Sequence, residues 1–266
     1  MRLHAFAYYN TATPPATPLK PTIDLDPVLD EATTISNGHF VLSRPMSVVA
    51  AYAASEDIDG PPPQINAPSI FVSPHNTFPL GTDAAPVFPK SIPNILDLTS
   101  NPTTLQPQEE ISVTMTRKTV SVSKVSLAVV FVQDQFEPIP AGDSFWLIGA
   151  DSSTTPAEGK WTPLDISWLK TLPSGEYAII GAVASGDKAI AARLILQDQV
   201  HRPGMLAMQK LTDRTADIFT DGSLGVFGKF PAWAPPRVEI LSGAGAGQSN
   251  VVALRVVRLG GPSRMK

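Results

Sequence analysis

The chain has 266 residues, of which 43% are hydrophobic and 17% are charged, and its formal net charge at pH 7 is -4. This composition is that of a globular protein but is poor in charge, since soluble domains carry about a quarter of charged residues. The surface either relies on Ser, Thr, Gln, Asn and backbone groups for its polarity or is partly covered by partners, and we favour the second interpretation. The absence of cysteine excludes disulfides, thiolate metal sites and a cysteine nucleophile. No run reaches the roughly 18 to 20 apolar residues that span a bilayer, so we expect no transmembrane segment.

Proline and glycine divide the chain near residue 105. Residues 1–105 hold 16 of the 27 prolines but only three of the 18 glycines, and residues 106–266 hold 11 prolines and 15 glycines. Proline favours extended chain, whereas glycine between apolar runs marks tight turns between strands. We therefore predict a Pro-rich extended N-terminal arm with a few short strands over residues 1–105, followed by a β-sandwich body over residues 106–266.

The predicted arm contains few candidate strands. Five prolines and several acids in residues 11–34 exclude a regular helix or a central strand there. Strands are predicted at 39–43 and 46–53, and the apolar runs between prolines at 65–98 are typical of chain that lies across another surface. Residues 36–105 either lie outside the body or add strands to its sheets, and the sequence does not choose between the two.

The predicted body consists of strands separated by turns. Residues 109–118 alternate, with Ile111, Val113 and Met115 on one side, which is the pattern of a half-buried strand. Ser185-Gly186-Asp187 predicts a hairpin that pairs 176–184 with 188–197. Short helical turns are predicted only at 162–171 and 212–219. The further predicted strands are 119–133, 144–149, 175–184, 188–197, 205–210, 224–230, 236–242 and 250–259.

These patterns predict an all-β fold, an antiparallel β-sandwich with the long Pro-rich extended arm at its N-terminus. The strand order is not determined, so a single jelly roll and a two-sandwich arrangement both remain open. No fixed-period repeat was found.

No residue pattern in the chain indicates catalysis, a cofactor or a metal. The histidines lie far apart and lack a second ligand at metal spacing: His4, His39, His75 and His201. The acidic run 56–60 opens like a calcium loop, but the three prolines that follow destroy the pattern. The glycines of 243–247 join two strands rather than a strand and a helix, which favours a flexible loop over a phosphate site. We therefore predict that the chain is not an enzyme.

Aromatic and basic residues are the candidates for interface contacts. Trp233 lies between prolines, and it is either a lid over one end of the sandwich or an exposed anchor for a partner or a sugar. Tyr8 and Tyr9 in the arm are predicted to make similar contacts. The basic residues near the C-terminus form either a solvated tail or a contact with nucleic acid or a membrane surface. They are Arg255, Arg258, Arg264 and Lys266.

An extended arm followed by a cysteine-free antiparallel sandwich with proline-rich loops resembles the structural proteins of viruses with jelly-roll capsids. The resemblance implies a jelly-roll body and a self-assembling capsid or shell component of a virion, assembled in the host cytoplasm. Its partners would be copies of itself, joined through the arm, and other virion proteins. Many such arms are rich in arginine, but residues 1–105 carry nine acids and four bases, so any nucleic-acid contact would not run through the arm.

Two alternatives from other classes stay open at this point. One is a receptor- or glycan-binding β-sandwich module, a trimer like a spike or adhesin, that uses Trp233 and its neighbouring loops. The other is a glycoside-active β-sandwich, which needs two carboxylates at a fixed distance in a cleft.

Overall fold

The computed structural model describes residues 3–10, 33–36, 39–55, 64–70, 80–81, 95–114, 126–157, 159–186, 189–197, 202–208, 217–242 and 249–260. These residues form strands joined by turns, and the only helical segment among them is a single 3-10 turn at Asp217–Phe219. The predicted all-β fold is therefore confirmed. No helix in the described ranges has the length and apolar character needed to cross a membrane.

The described strands are numbered in chain order. They are β1 (Leu3–Asn10), β2 (Thr33–Ser36), β3 (His39–Leu42), β4 (Met46–Ser55), β5 (Gln64–Asn66), β6 (Leu80–Gly81), β7 (Leu96–Asp97), β8 (Thr103–Leu105), β9 (Glu110–Thr114), β10 (Ser126–Gln133), β11 (Ser144–Asp151), β12 (Trp161–Leu164), β13 (Ser167–Trp168), β14 (Glu176–Ser185), β15 (Ala189–Ile195), β16 (Gly204–Met208), β17 (Gly228–Pro231), β18 (Arg237–Ser242) and β19 (Asn250–Leu259).

The strands form three sheets. A four-stranded sheet has the order β2-β3-β9-β5. A six-stranded sheet has the order β1-β10-β4-β6, and β7 and β8 also pair with β4. A nine-stranded sheet has the order β12-β18-β15-β16-β14-β19-β11-β13, and β17 pairs with β14. Most pairs are antiparallel, as predicted, but β4 with β6 and β14 with β16 are parallel.

The six-stranded sheet is buried on both faces. One face packs with buried residues of the four-stranded sheet, through side chains such as Tyr8 and Val130. Its other face packs against the nine-stranded sheet, through side chains such as Tyr52 and Phe131. The molecule therefore has three β-layers with the six-stranded sheet in the middle. This double burial explains why β10 is apolar along its length instead of alternating.

Strands from both sides of residue 105 share the middle sheet. β10 pairs with β1 on one edge, as in Phe6 opposite Val130, and with β4 on the other, as in Ala51 opposite Val130. For the described residues this answers the question that the sequence left open about residues 36–105, since β4, β7 and β8 add strands to a sheet that contains β10. The acidic, proline-rich residues 11–32 lie outside the described ranges. The division into an arm and a body stays a prediction.

The predicted hairpin between 176–184 and 188–197 is wrong. β16 lies between these two strands, parallel to β14 with Val183 opposite Leu206 and antiparallel to β15 with Ala192 opposite Met205. The turn residues Ser185-Gly186-Asp187 indicate only that the chain reverses direction, not that the two flanking strands pair with each other. Here a third strand takes the edge that the hairpin would have used, and it buries apolar side chains there.

The predicted helical turn at 162–171 is also wrong. Trp161–Leu164 forms β12 and Ser167–Trp168 forms β13. Pro163 is tolerated because β12 is an edge strand of its sheet. Of the second predicted helical turn, 212–219, the described part is the 3-10 turn; residues 212–216 lie outside the described ranges.

Candidate functional site

Tyr8, predicted as an interface residue, lies in the core. Its side chain is fully buried, its hydroxyl donates a 2.8 Å hydrogen bond to the Ile111 carbonyl, and its ring meets Phe40 edge-on at 5.7 Å. Burial raises the pKa of this hydroxyl well above its ordinary value. In this chain Tyr8 therefore joins the middle sheet to the four-stranded sheet. Tyr9 follows it in β1, opposite Leu127.

Trp233 is the most exposed large hydrophobic residue that the structure describes. Its side chain is 75% exposed, in a turn after β17 where the Ala234 amide donates to the Pro231 carbonyl at 3.0 Å. The prediction that it is a lid over the sandwich is not supported, because so little of it is covered. The Trp233 ring is therefore open to solvent.

The basic residues near the C-terminus divide into two groups. Arg255 and Arg258 belong to β19, and Arg264 and Lys266 lie outside the described residues. Arg255 donates to the Ser144 hydroxyl at 3.1 Å and to the Thr220 carbonyl at 2.8 Å. Arg258 donates to the Ser174 carbonyl at 2.6 Å. These two arginines belong to a strand and are bound to neighbouring segments of the fold instead of forming part of a solvated tail.

The edge of the nine-stranded sheet carries exposed apolar side chains. In β11, Leu147 points into the core, while Trp146 and Ile148 on the opposite face are 40% and 37% exposed. Trp146 lies opposite Arg255 in the neighbouring strand β19. On its other side β11 pairs with β13 through Gly149 and Ala150, and the Ile148 carbonyl is also engaged, so within the described part of the chain Ser144–Leu147 has a free edge.

Three further large apolar residues are exposed in segments near β11 in the fold or the chain. The Leu169 amide donates to the Ile148 carbonyl at 2.9 Å, and the Leu169 side chain is 70% exposed. Phe136 and Ile139 are also exposed, and they pack against Gly225 and Gly222 in the loop that contains Thr220, the carbonyl partner of Arg255. We call these five residues the edge patch: Phe136, Ile139, Trp146, Ile148 and Leu169.

The two edges of the nine-stranded sheet differ in protection. Proteins shield exposed strand edges with proline, lysine, bulges or covering segments, because an open edge pairs with other chains. β12, at one end of the sheet, contains Pro163. Ser144–Ile148 of β11 contains no proline and no charged residue. The open edge therefore coincides with the edge patch.

Two surface clefts complete the candidate sites. The first, of about 450 Å³, lies on the four-stranded sheet and includes His39, Glu110 and Ser112, with Gln108 at a φ of 67°. The second, of about 490 Å³, lies where the β12–β13 connection meets the loop before β18. Across the described ranges, no three His, Asp or Glu side chains lie close enough to hold a metal ion.

Comparison with known proteins finds no matching family model, no matching curated protein and no matching solved structure. The function proposed below therefore depends on the geometry of the chain alone. The sequence predicted a contact at Trp233, which stays a prediction, and it did not predict the edge patch. The strand FWLIG was predicted, but which of its apolar residues face outward depends on which neighbouring strands cover it.

Proposed function

We propose that this chain is a self-assembling structural protein, a shell component of a virion, whose copies associate through the open edge of β11. The observation that supports this proposal is the coincidence of an unprotected strand edge with the apolar side chains of the edge patch. Both features favour association, because an open edge offers unpaired backbone groups and exposed apolar area gains free energy when it is covered. In this proposal the chain works by assembly and not by catalysis.

The backbone of β11 is oriented for pairing with another strand. Because the Ile148 carbonyl bonds to Leu169 on the side away from β19, strand alternation also turns the backbone groups of Trp146 and Ser144 to that side. A partner strand can therefore continue the ladder beyond β13. Trp146 and Ile148 would cover apolar surface of the partner on the same face of the sheet.

We propose a second copy of this chain as the partner. Two β11 strands that meet antiparallel about a twofold axis would make a self-complementary interface, the commonest kind in homo-oligomers. Ser144–Ile148 carries no charge, so self-pairing creates no like-charge repulsion within the strand. The nearby guanidinium of Arg255 is already bound to Ser144 and Thr220. Closed shells need additional contacts, for which the acidic, proline-rich residues 11–32 remain our proposed source.

The test is light scattering coupled to size exclusion, followed by negative-stain microscopy, on the full chain and two variants. Ile148→Lys places a charge at the centre of the edge patch, and Trp233→Lys is the matched control at an exposed site outside it. We expect the unmodified chain and Trp233→Lys to form the same large assemblies, and Ile148→Lys to form smaller species with an unchanged circular dichroism spectrum. A monomeric unmodified chain, or full assembly of Ile148→Lys, would overturn the proposal.

A further inference from the structure

The second cleft has walls from two parts of the chain. One wall is the segment from Pro163 to Trp168, which connects β12 to β13, and the other is Pro235–Arg237 at the start of β18. Thr154 also lines it. Its volume of about 490 Å³ is in the range of sites that hold small molecules, roughly 300 to 1,000 Å³. None of its residues belongs to the edge patch.

The indole of Trp168 is held in position by Gly149. A Cβ atom on Gly149 would lie 2.8 Å from Cε3 of Trp168 and 2.4 Å from Cγ2 of Ile166, so only glycine leaves room for both side chains. The indole is thus packed on one side and partly exposed, and it lines the cleft. An aromatic ring that is fixed before binding loses little entropy when a ligand stacks on it.

A single buried carboxylate organises two of the polar residues around the cleft. Oδ1 of Asp151 accepts hydrogen bonds from the amides of Ser153 and Thr154 at 2.7 and 3.0 Å. Oδ2 of the same residue accepts one from the Asp165 amide at 2.9 Å. Thr154 and Asp165 are therefore fixed relative to each other through Asp151.

Two charged side chains at the cleft are left free for a ligand. Asp165 and Arg237 are both exposed, and no hydrogen bond or ion pair to either side chain occurs among the residues that the structure describes. A carboxylate accepts hydrogen bonds and a guanidinium donates them. Their charges sum to zero, so a ligand with no net charge matches the cleft best.

We propose that this cleft binds a neutral saccharide. A pyranose ring presents an apolar face of C–H groups and a rim of hydroxyls, and the cleft offers a fixed indole for the first and a carboxylate, a guanidinium and the Thr154 hydroxyl for the second. Pro163, Pro235 and Pro236 keep the backbone of both walls rigid. The inference is independent of self-assembly, because it uses different residues.

The test is saturation-transfer NMR followed by calorimetry on the full chain, with maltotriose, chitotriose and lactose as neutral probes. We expect at least one of them to bind at millimolar concentration. Asp165→Asn and Arg237→Gln should each weaken that binding roughly tenfold or more, since each removes a hydrogen bond to a charged group. Both side chains are exposed and unpaired in the described structure, so the fold should survive these changes.

The control variant is Trp233→Ala, which removes an exposed tryptophan that does not line the cleft. It should bind the same sugar with unchanged affinity. Absence of binding to all three sugars would overturn the inference. So would full binding by Asp165→Asn and Arg237→Gln together with loss in Trp233→Ala, or tighter binding of trigalacturonic acid than of any neutral probe.

Discussion

Gly204 lies directly against Ala5, and this contact joins the first strand of the chain to the nine-stranded sheet. A Cβ atom on Gly204 would lie 2.5 Å from Cβ of Ala5 and 2.6 Å from its backbone nitrogen. Atoms at these distances overlap, and the nitrogen belongs to the backbone of β1, which is held in register by its pairing with β10. Glycine at residue 204 is therefore what allows β1 to approach β16 so closely.

We expect Gly204→Val to destabilise the protein by about 1 to 3 kcal/mol, the usual cost of forcing extra atoms into a packed interior. Gly204→Ala should cost less, because its side chain is smaller. The midpoint of urea unfolding measures both effects. Equal urea midpoints for the unmodified chain, Gly204→Ala and Gly204→Val would show that the packing of β1 against β16 does not require glycine at residue 204.

Two buried tyrosines predict how stability changes at alkaline pH. Tyr8 donates its hydroxyl to the Ile111 carbonyl, and Tyr52 donates its hydroxyl to the Ile190 carbonyl. Burial raises the pKa of both hydroxyls above the ordinary value of about 10. Above that pH the unfolded chain releases protons that the folded chain retains, so the stability from these groups is present below about pH 10 and is lost as pH rises.

The measurement compares urea midpoints at about pH 8 and about pH 11 for the unmodified chain, Tyr8→Phe and Tyr52→Phe. At the lower pH each variant should lose about 1 to 2 kcal/mol, because a buried carbonyl loses its donor. At the higher pH the difference in unfolding free energy between each variant and the unmodified chain should become smaller. The unmodified chain loses stability there when its unfolded tyrosines ionise, and each variant has one such phenol fewer. If instead this difference grew between the two pH values, the hydroxyls of Tyr8 and Tyr52 would not be buried as the structure places them.

The strands were largely predictable because their signals are local. The alternation in Glu110–Thr114 places Ile111 and Val113 in one core, as expected, and the apolar run of β10 is a strand. The same alternation in β1 places Tyr8 on one face with Phe6. The ring of Phe6 stacks on that of Phe40, with the ring centroids 4.1 Å apart. Tyr8 was predicted as a surface contact because proline content, not periodicity, was used to interpret the N-terminal residues.

The arrangement of the sheets and the candidate sites was not predictable from these local signals. The placement of β16 between β14 and β15 depends on which apolar faces pack together across the molecule. The exposure of Trp146 likewise depends on where the sheet ends. The saccharide cleft requires Asp165 and Arg237, residues about seventy positions apart, to lie at one edge of the fold. No sequence spacing encodes that proximity.

Asp151 predicts how stability changes at acidic pH. Burial raises the pKa of its carboxyl, but hydrogen bonds from Thr154 and Ser153 outweigh burial and hold the pKa well below its ordinary value. A group of this kind contributes stability above the unfolded pKa of about 4, and the contribution is lost as pH falls from there toward the folded pKa.

We expect Asp151→Asn to lower the free energy of unfolding by about 2 to 3 kcal/mol at neutral pH. The asparagine side chain replaces one carboxylate oxygen with an NH2 group, which cannot accept a hydrogen bond from a backbone amide. The difference in unfolding free energy between Asp151→Asn and the unmodified chain should become smaller below about pH 4, where the carboxyl of the unfolded chain takes up its proton. Urea midpoints across this range measure the effect. The control is Asp165→Asn, because the Asp165 side chain is exposed. If it lowered the free energy of unfolding as much as Asp151→Asn, the hydrogen bonds to the Asp151 carboxylate would not be the source of the effect.

Glu239 balances two arginines in a partly buried network. Its Oε2 lies 2.5 Å from Nε of Arg193 and 3.0 Å from Nη1 of Arg202. The guanidinium of Arg193 also lies over the Trp161 ring, 4.2 Å from its centroid. The side chains of Glu239 and Arg193 are only 12% and 11% exposed, so solvent screens this network poorly. Removal of the Glu239 carboxylate takes away the anion that these two cations share.

We expect Glu239→Gln to cost about 2 to 4 kcal/mol, because a buried ion pair is broken from one side. The matched control is Glu137→Gln, which breaks the pair with Lys229 at 2.6 Å, where the two side chains are 34% and 50% exposed. Exposed pairs contribute about 0 to 1 kcal/mol and are screened by salt. Urea midpoints in low and high salt should therefore show a large, salt-insensitive loss for Glu239→Gln and a small one for Glu137→Gln that vanishes in high salt. Equal losses would mean that water reaches the Glu239 network freely.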